Sequence, residues 1–207
     1  MTRRHALRRL LLGALLLGSV ATSAAEPRLL HPGEMLRGRF VQERTLAGFA
    51  KPLRSEGSFV LVIDQGLIWQ GETPFQNTTV ITPAGILQLV NGAEAMRMPA
   101  SRLPVLTRFY QMLSGALSGD PSGLQQDFRI ERGSDGERWQ VTLSPARPDD
   151  QAMGQIRTIE MSGLDLVDDV AIRKAGGDVD HLRFLDQIVS SVALSEEEAR
   201  LLDATAR

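Results

Sequence analysis

The side chains able to do chemistry in this 207-residue chain are few and poorly spaced for it. Histidine occurs only at positions 5, 31 and 181, and cysteine nowhere. Thiolate metal sites, disulfides, cysteine nucleophiles and a lipid-modified cysteine are therefore excluded. His31 near the start and His181 near the end offer too few nitrogens to converge on a metal ion, and each reads as a surface polar group. Ser114, Ser118 and Ser122 lie among glycines, but none has the Gly-x-Ser-x-Gly spacing that presents a nucleophile on a strained turn. The pairs Asp149-Asp150 and Asp168-Asp169 could share a proton or hold calcium. Adjacent residues of an extended chain point to opposite sides, however, so both pairs read as solvated turns. Glycine-rich phosphate cradles are absent. The expectation is a protein that is no enzyme, needs neither metal nor other cofactor, and binds by shape.

The first 25 residues carry the clearest local signal. Arg3, Arg4, His5, Arg8 and Arg9 precede the apolar run Leu10 to Val20, and Ser23 and Ala25 then supply the small residues of a cleavage site. This reads as a secretory signal peptide over 1–25, cut after Ala25, although a cut after Ala24 satisfies the same rule, with one folded domain over 26–207. An apolar run of eleven residues falls short of the ~20 that cross a bilayer as a helix. Removing the leader takes away four arginines and no acid, which moves the formal charge from −2 to −6. The remaining cations are spread along the chain without a cluster to track phosphates, so nucleic acid is not an expected partner.

Elements that could position a binding surface are mostly short alternating strands. Met35 to Glu43 reads as a short helix turning into a strand. Ser58 to Ile63 puts Phe59, Leu61 and Ile63 on one face and Val60 and Val62 on the other. Asp64-Gln-Gly66 is a turn, and Leu67 to Gln70 completes a hairpin. Asn77 to Thr82 and Gly85 to Val90 form a second meander, and Phe128 to Glu131 pairs with Arg138 to Leu143 across a turn at Gly133-Ser-Asp-Gly136. Further strands are expected at Ile156–Ser162, Leu166–Arg173 and Asp180–Phe184. Between Pro99 and Gly119 the period changes to that of a helix, with Leu103, Leu106, Phe109 or Tyr110, Leu113 and Leu117 near one face. Ser195-Glu-Glu-Glu198 is a capping box for a terminal helix. The pattern is α+β and mainly β: a curved antiparallel sheet with helices over its inner face.

The order of several motifs resembles the outer-membrane lipoprotein carrier (LolA-like) family. These are Phe40-x-Gln42-x-Arg44, Pro52-Leu-x-Ser-x-Gly57-x-Phe59, Leu67-Ile-Trp69 with Pro74, Val80-Ile-Thr82 with Gly85, Trp139-x-Val-x-Leu143-x-Pro145 and Ile156-Arg-Thr-Ile159-x-x-Ser-Gly163. The resemblance runs from about Met35 to Phe184 and implies an incomplete antiparallel β-barrel whose helical lid encloses an apolar cavity for acyl chains. Alternation assigns Phe59, Leu61, Ile63, Leu67 and Trp69 to the concave side, with Trp139, Val141 and Leu143 across the sheet and Phe109 and Leu113 on the lid. Met96, Met98 and Met112 suit an adaptable wall. The family's Arg-Pro pair after the first hairpin strand is replaced here by Ile63-Asp64, which argues against transfer of triacylated lipoproteins and for a divergent branch.

The function this implies is that of a monomeric periplasmic carrier. It would take a lipid, glycolipid or acylated cargo from an inner-membrane donor protein to an outer-membrane acceptor, since each exposed methylene costs ~0.8 kcal/mol in water. The alternative is a periplasmic adaptor that binds a membrane transport protein and carries no lipid.

Overall fold

The computed structural model describes residues 26–102, 114, 115, 117–147 and 155–205. Eleven strands form one antiparallel sheet: β1 Met35–Thr45, β2 Leu53–Val62, β3 Gly66–Thr73, β4 Asn77–Thr82, β5 Gly85–Val90, β6 Ala93–Pro99, β7 Phe128–Asp135, β8 Arg138–Pro145, β9 Ile156–Gly163, β10 Val167–Lys174 and β11 Val179–Ser190. Their order across the sheet is β6-β5-β4-β3-β2-β1-β11-β10-β9-β8-β7. Two meanders therefore run outward from a central seam between the first and last strands, which pair from Met35↔Ser190 to Thr45↔Val179. The sheet is curved and open, with β6 and β7 at its two edges. The incomplete barrel expected from the sequence is the architecture found. The leader over 1–25 and the lid positions Phe109, Met112 and Leu113 lie outside the described residues.

Several local readings change. Residues 35–45 form one strand and no helix, because β1 is paired on both sides, by β2 and by β11, and ladder pairing overrides the ambiguous local pattern. Strand β7 continues through Gly133 to Asp135, so the hairpin turns only at Gly136-Glu137. Strand β6, unread in the sequence, hydrogen-bonds β5 along its length. Asp168 and Asp169 do not point apart: Arg138 reaches both, at 3.1 and 3.4 Å. The register slips between Val167 and Asp169, and such a bulge puts two successive residues on one side. A second irregularity faces Gly38, where Arg37 pairs with Ile188 but Arg39 with Leu185. Asp186 there adopts φ +52°, and the slip switches which β11 side chains face inward, from Leu182 and Phe184 to Val189.

Alternation gives the sheet two apolar faces of different extent. One face gathers a core from both meanders, described below. The other carries a smaller apolar cluster where Met35, Val60, Val62, Ile68, Val80 and Leu87 meet Leu202 of the terminal helix α1, Glu196–Ala204. Ser195 caps α1 in the expected box, its hydroxyl accepting from the Glu198 amide while the Glu198 carboxylate accepts from Ser195. The same carboxylate takes both terminal nitrogens of Arg37 from β1. At the other end of the helix Arg97 donates to the Ala204 carbonyl, and the hydroxyls of Thr82 and Thr205 lie 2.6 Å apart.

The Arg37 hydrogen bond, opposed by burial and aided by Ser195, holds Glu198 down from 4.5 to about 2. A depressed carboxylate stabilises the fold fully above its ordinary value and progressively less as pH falls through the folded one. Glu198→Gln keeps the capping box while removing the charge. The variant is expected to have a lower urea midpoint at neutral pH, and its deficit to shrink as pH drops from 4.5 toward 2. A deficit independent of pH in paired urea titrations would show that the charge is not what holds α1.

Candidate functional site

The inner face is built around four rings on four successive strands, several of which meet across an intervening strand. Phe40 of β1 stacks on Trp69 of β3 with centroids 3.9 Å apart, Phe59 of β2 meets Phe184 of β11 edge-on at 5.3 Å, and Trp69 reaches Phe184 at 6.2 Å. Strands lie ~4.8 Å apart, so the backbones of β3 and β11, three steps removed, would be about 14 Å apart in a flat sheet. Side chains can close that gap only on the inside of a curve, which identifies this face as the concave one.

Glycines make the convergence possible. Gly57 and Gly71 pair with each other on the inward register, leaving room for Phe40, directly opposite Gly57, to lean onto Trp69. A Cβ at Gly57 would overlap the Gln70 carbonyl. One at Gly38 would lie 2.8 Å from the Phe59 ring. In the other meander Trp139 lies over its cross-strand partner Gly163, where a Cβ would sit 3.0 Å from the indole. Flat rings over bare backbone let the wall bend without voids.

The structure brings ten of the thirteen residues expected to form the binding wall into this one cluster. Phe59, Leu61, Leu67, Trp139, Val141 and Leu143 are buried in it, and Ile63, Trp69, Met96 and Met98 pack against it half-exposed. Phe109, Met112 and Leu113 fall outside the described residues. Sequence reading missed other members: Phe40 and Leu36 because β1 was split between helix and strand, and Phe184 because the bulge obscures the inward period of β11. Ile81 and Ile86 pair across β4 and β5, and the alternation of those two strands could have found them. Leu30, Leu117 and Leu124, from segments outside the sheet, also bury against the face. Leu30 is fixed there by a hydrogen bond from its backbone N–H to the Ser118 carbonyl at 3.0 Å, and Arg28 by one to the Asp165 carbonyl at 2.6 Å.

Charge closes one end of the face. Asp180, 5% exposed, pairs with Arg44 and with Lys174 at 2.7 Å. Burial alone would push its carboxyl up, but the hydrogen bonds from Lys174 and Arg44 outweigh this and hold it below the usual range. Toward the β7 edge the face becomes reachable. A cleft of about 410 Å³ opens there between Pro27, Leu29 and Gly119 on one side and Arg132, Ser134, Trp139 and Val141 on the other. That volume lies within the span typical of small-molecule sites. The indole N–H of Trp139 is buried without a hydrogen-bond partner among the described residues.

The chain can be compared with known proteins on this basis. Residues 18–181 match the family model described as outer membrane lipoprotein carrier protein LolA-like. Strand β11 beyond His181 and helix α1 lie past that match. No curated protein matches. Among solved structures, LolA superfamily protein NE2245 from Nitrosomonas europaea is similar at 10% identity and TM-score 0.44, over 81% of this chain and 90% of that one. The Pseudomonas aeruginosa MucA/MucB complex is similar at 15% identity and TM-score 0.40, over 81% and 55%. An outer membrane lipoprotein-sorting protein domain from Vibrio parahaemolyticus is similar at 8% identity and TM-score 0.41, over 87% and 94%.

Because the Gln70 carbonyl occupies the space of the missing methyl, Gly57→Ala is expected to destabilise the protein by about 2 kcal/mol or more. Its near-UV circular dichroism should also change as Phe40 and Trp69 separate. Denaturation and spectra indistinguishable from the parent would show that the face tolerates a side chain there.

Proposed function

This chain belongs to the outer membrane lipoprotein carrier LolA-like family, whose members are periplasmic, and from that premise we propose that it is a periplasmic carrier. It binds a lipid, glycolipid or lipid-linked cargo against its concave face for transfer toward the outer membrane. The observation that carries the reading is the cleft at the β7 edge, where Trp139 and Val141 of the apolar cluster line a space of about 410 Å³. An acyl segment leaving water for such a wall gains ~0.8 kcal/mol per methylene buried. The indole N–H of Trp139, without a partner among the described residues, is a donor that a cargo ester or amide carbonyl could satisfy. Binding in this reading makes and breaks no covalent bond, and the protein is not an enzyme.

A second reading has its own support. Leu30, Leu117 and Leu124 already cover much of the face, and a face filled by its own side chains suits an adaptor that docks on a membrane transport protein without carrying lipid. Donor and acceptor proteins of the carrier, or the transport protein of the adaptor, would be its partners.

Organic extracts of the protein purified from its native periplasm, analysed by mass spectrometry beside an equally abundant control, separate the two. A stoichiometric lipid is expected. An empty protein that also fails to bind a fluorescent fatty acid would favour the adaptor. Ile130, half-exposed beside the cluster and two residues from Arg132 of the cleft, provides the matching variant. Ile130→Glu places a charge against the apolar wall and is expected to weaken fatty-acid binding at least tenfold while the circular dichroism stays that of the folded sheet.

A further inference from the structure

The convex face carries a second hollow with the opposite chemistry. Behind β2, β3 and β4, where the β3–β4 and β5–β6 turns meet, a groove of about 260 Å³ is lined by the amides of Gln70, Gln76 and Asn91, the hydroxyls of Ser58 and Thr78, and the carboxylate of Glu72. Ser58, Gln70 and Thr78 are successive cross-strand partners, so the three stand in a row on one face. Asn91 and Gly92, both at positive φ, make the tight hairpin turn, and the Asn91 amide fixes it to the Gln76 carbonyl at 3.3 Å. Asn77 spends its own side-chain amide on the Phe75 carbonyl at 3.1 Å, which holds the neighbouring turn.

The lining selects a ligand class by what it lacks. No apolar side chain lines the groove, so an acyl chain gains nothing there. Its one charged group, Glu72, is already matched by two hydrogen bonds from Arg39, at 3.2 and 2.9 Å, which leaves neither a free cation for an anionic ligand nor an unmatched anion for a cationic one. Among the described residues, the side chains of Gln70, Gln76, Thr78 and Asn91 make no hydrogen bond to protein, so donor and acceptor capacity is presented side by side. Phe75, immediately before Gln76 of the lining, stands 77% exposed, which leaves a flat apolar ring uncovered on the same turn. Paired donors and acceptors beside an exposed ring suit a neutral molecule with many hydroxyls and an apolar C–H face.

We propose that this groove is a carbohydrate-binding site that takes a neutral pyranose unit of a glycan. Amides and hydroxyls engage the ring hydroxyls, and Phe75 stacks on the C–H face of the sugar. The site lies on the face opposite the cargo wall, so it stands or falls independently of lipid binding.

The test is a glycan array probed with the full chain, followed by a heteronuclear NMR titration with the best-bound oligosaccharide. The expected result is saturable binding with shifts confined to amides of residues 70–78 and 91–92. Gln70→Ala and Phe75→Ala should each raise Kd threefold to about tenfold, the loss expected for one hydrogen bond or one stacking contact, while Arg157→Ala on the far half of the sheet leaves it unchanged. Both variants keep the backbone pairing, and matching spectra outside the groove check their folding. Binding to no glycan, shifts centred elsewhere, or an affinity indifferent to both variants would overturn the proposal.

Discussion

Curvature is the constraint from which the remaining features follow. An extended sheet of eleven strands laid flat has no means of burying one face against itself. Bent as it is here, residues three strands apart meet, and Trp69 and Phe184 come within 6.2 Å. The bend in turn requires places where a side chain is absent. Gly38, Gly57 and Gly163 are such places, and each lies under or opposite one of the rings that fill the concavity. Ring and glycine are thus one device, and neither would be stable in its position without the other.

The same bend separates the chemistries of the two faces. Inside, apolar groups from nearly every strand form a single cluster, with a charged group of Arg44, Asp180 and Lys174 at one end and charged residues such as Arg132 at the cleft on the β7 edge. Outside, the α1 footprint holds a smaller apolar cluster, and the face carries pairs of opposite charges such as Glu160 with Arg173 and Arg39 with Glu72. Exposed pairs of this kind add little to stability. They keep the outer surface wet, so that the apolar surface is concentrated where the protein can control access to it.

How much of this was legible in the sequence depended on whether local alternation survived into the tertiary structure. In β2, β3 and β8 it did, and the inward residues from Phe59 to Leu143 could be named from period alone. It failed wherever the ladder slips. The bulge beside Gly38 reverses the inward parity along β11, and the one after Val167 turns two adjacent aspartates to the same arginine. Strand β6 escaped notice because its first residues, Ala93, Glu94 and Ala95, are exposed at the edge and carry no apolar alternation. The cleft and the polar groove were not legible at all, since each depends on turns distant in sequence meeting in space. Glycines that serve packing rather than turning, such as Gly57, look in sequence like any other break in a strand.

The seam between β1 and β11 sets the order in which the molecule can be completed. Met35 pairs with Ser190, so one flank of the central strand stays without its neighbour until nearly the whole chain has been made. Contacts this distant in sequence are slow to form, and an unpaired strand is a template for other chains in the meantime. Strand β1 carries Arg37, Arg39, Glu43 and Arg44 among its apolar residues. These charges, matched in the finished structure by Glu198, Glu72, Arg54 and Asp180 respectively, would give the nascent edge a solubility that its final central position no longer requires.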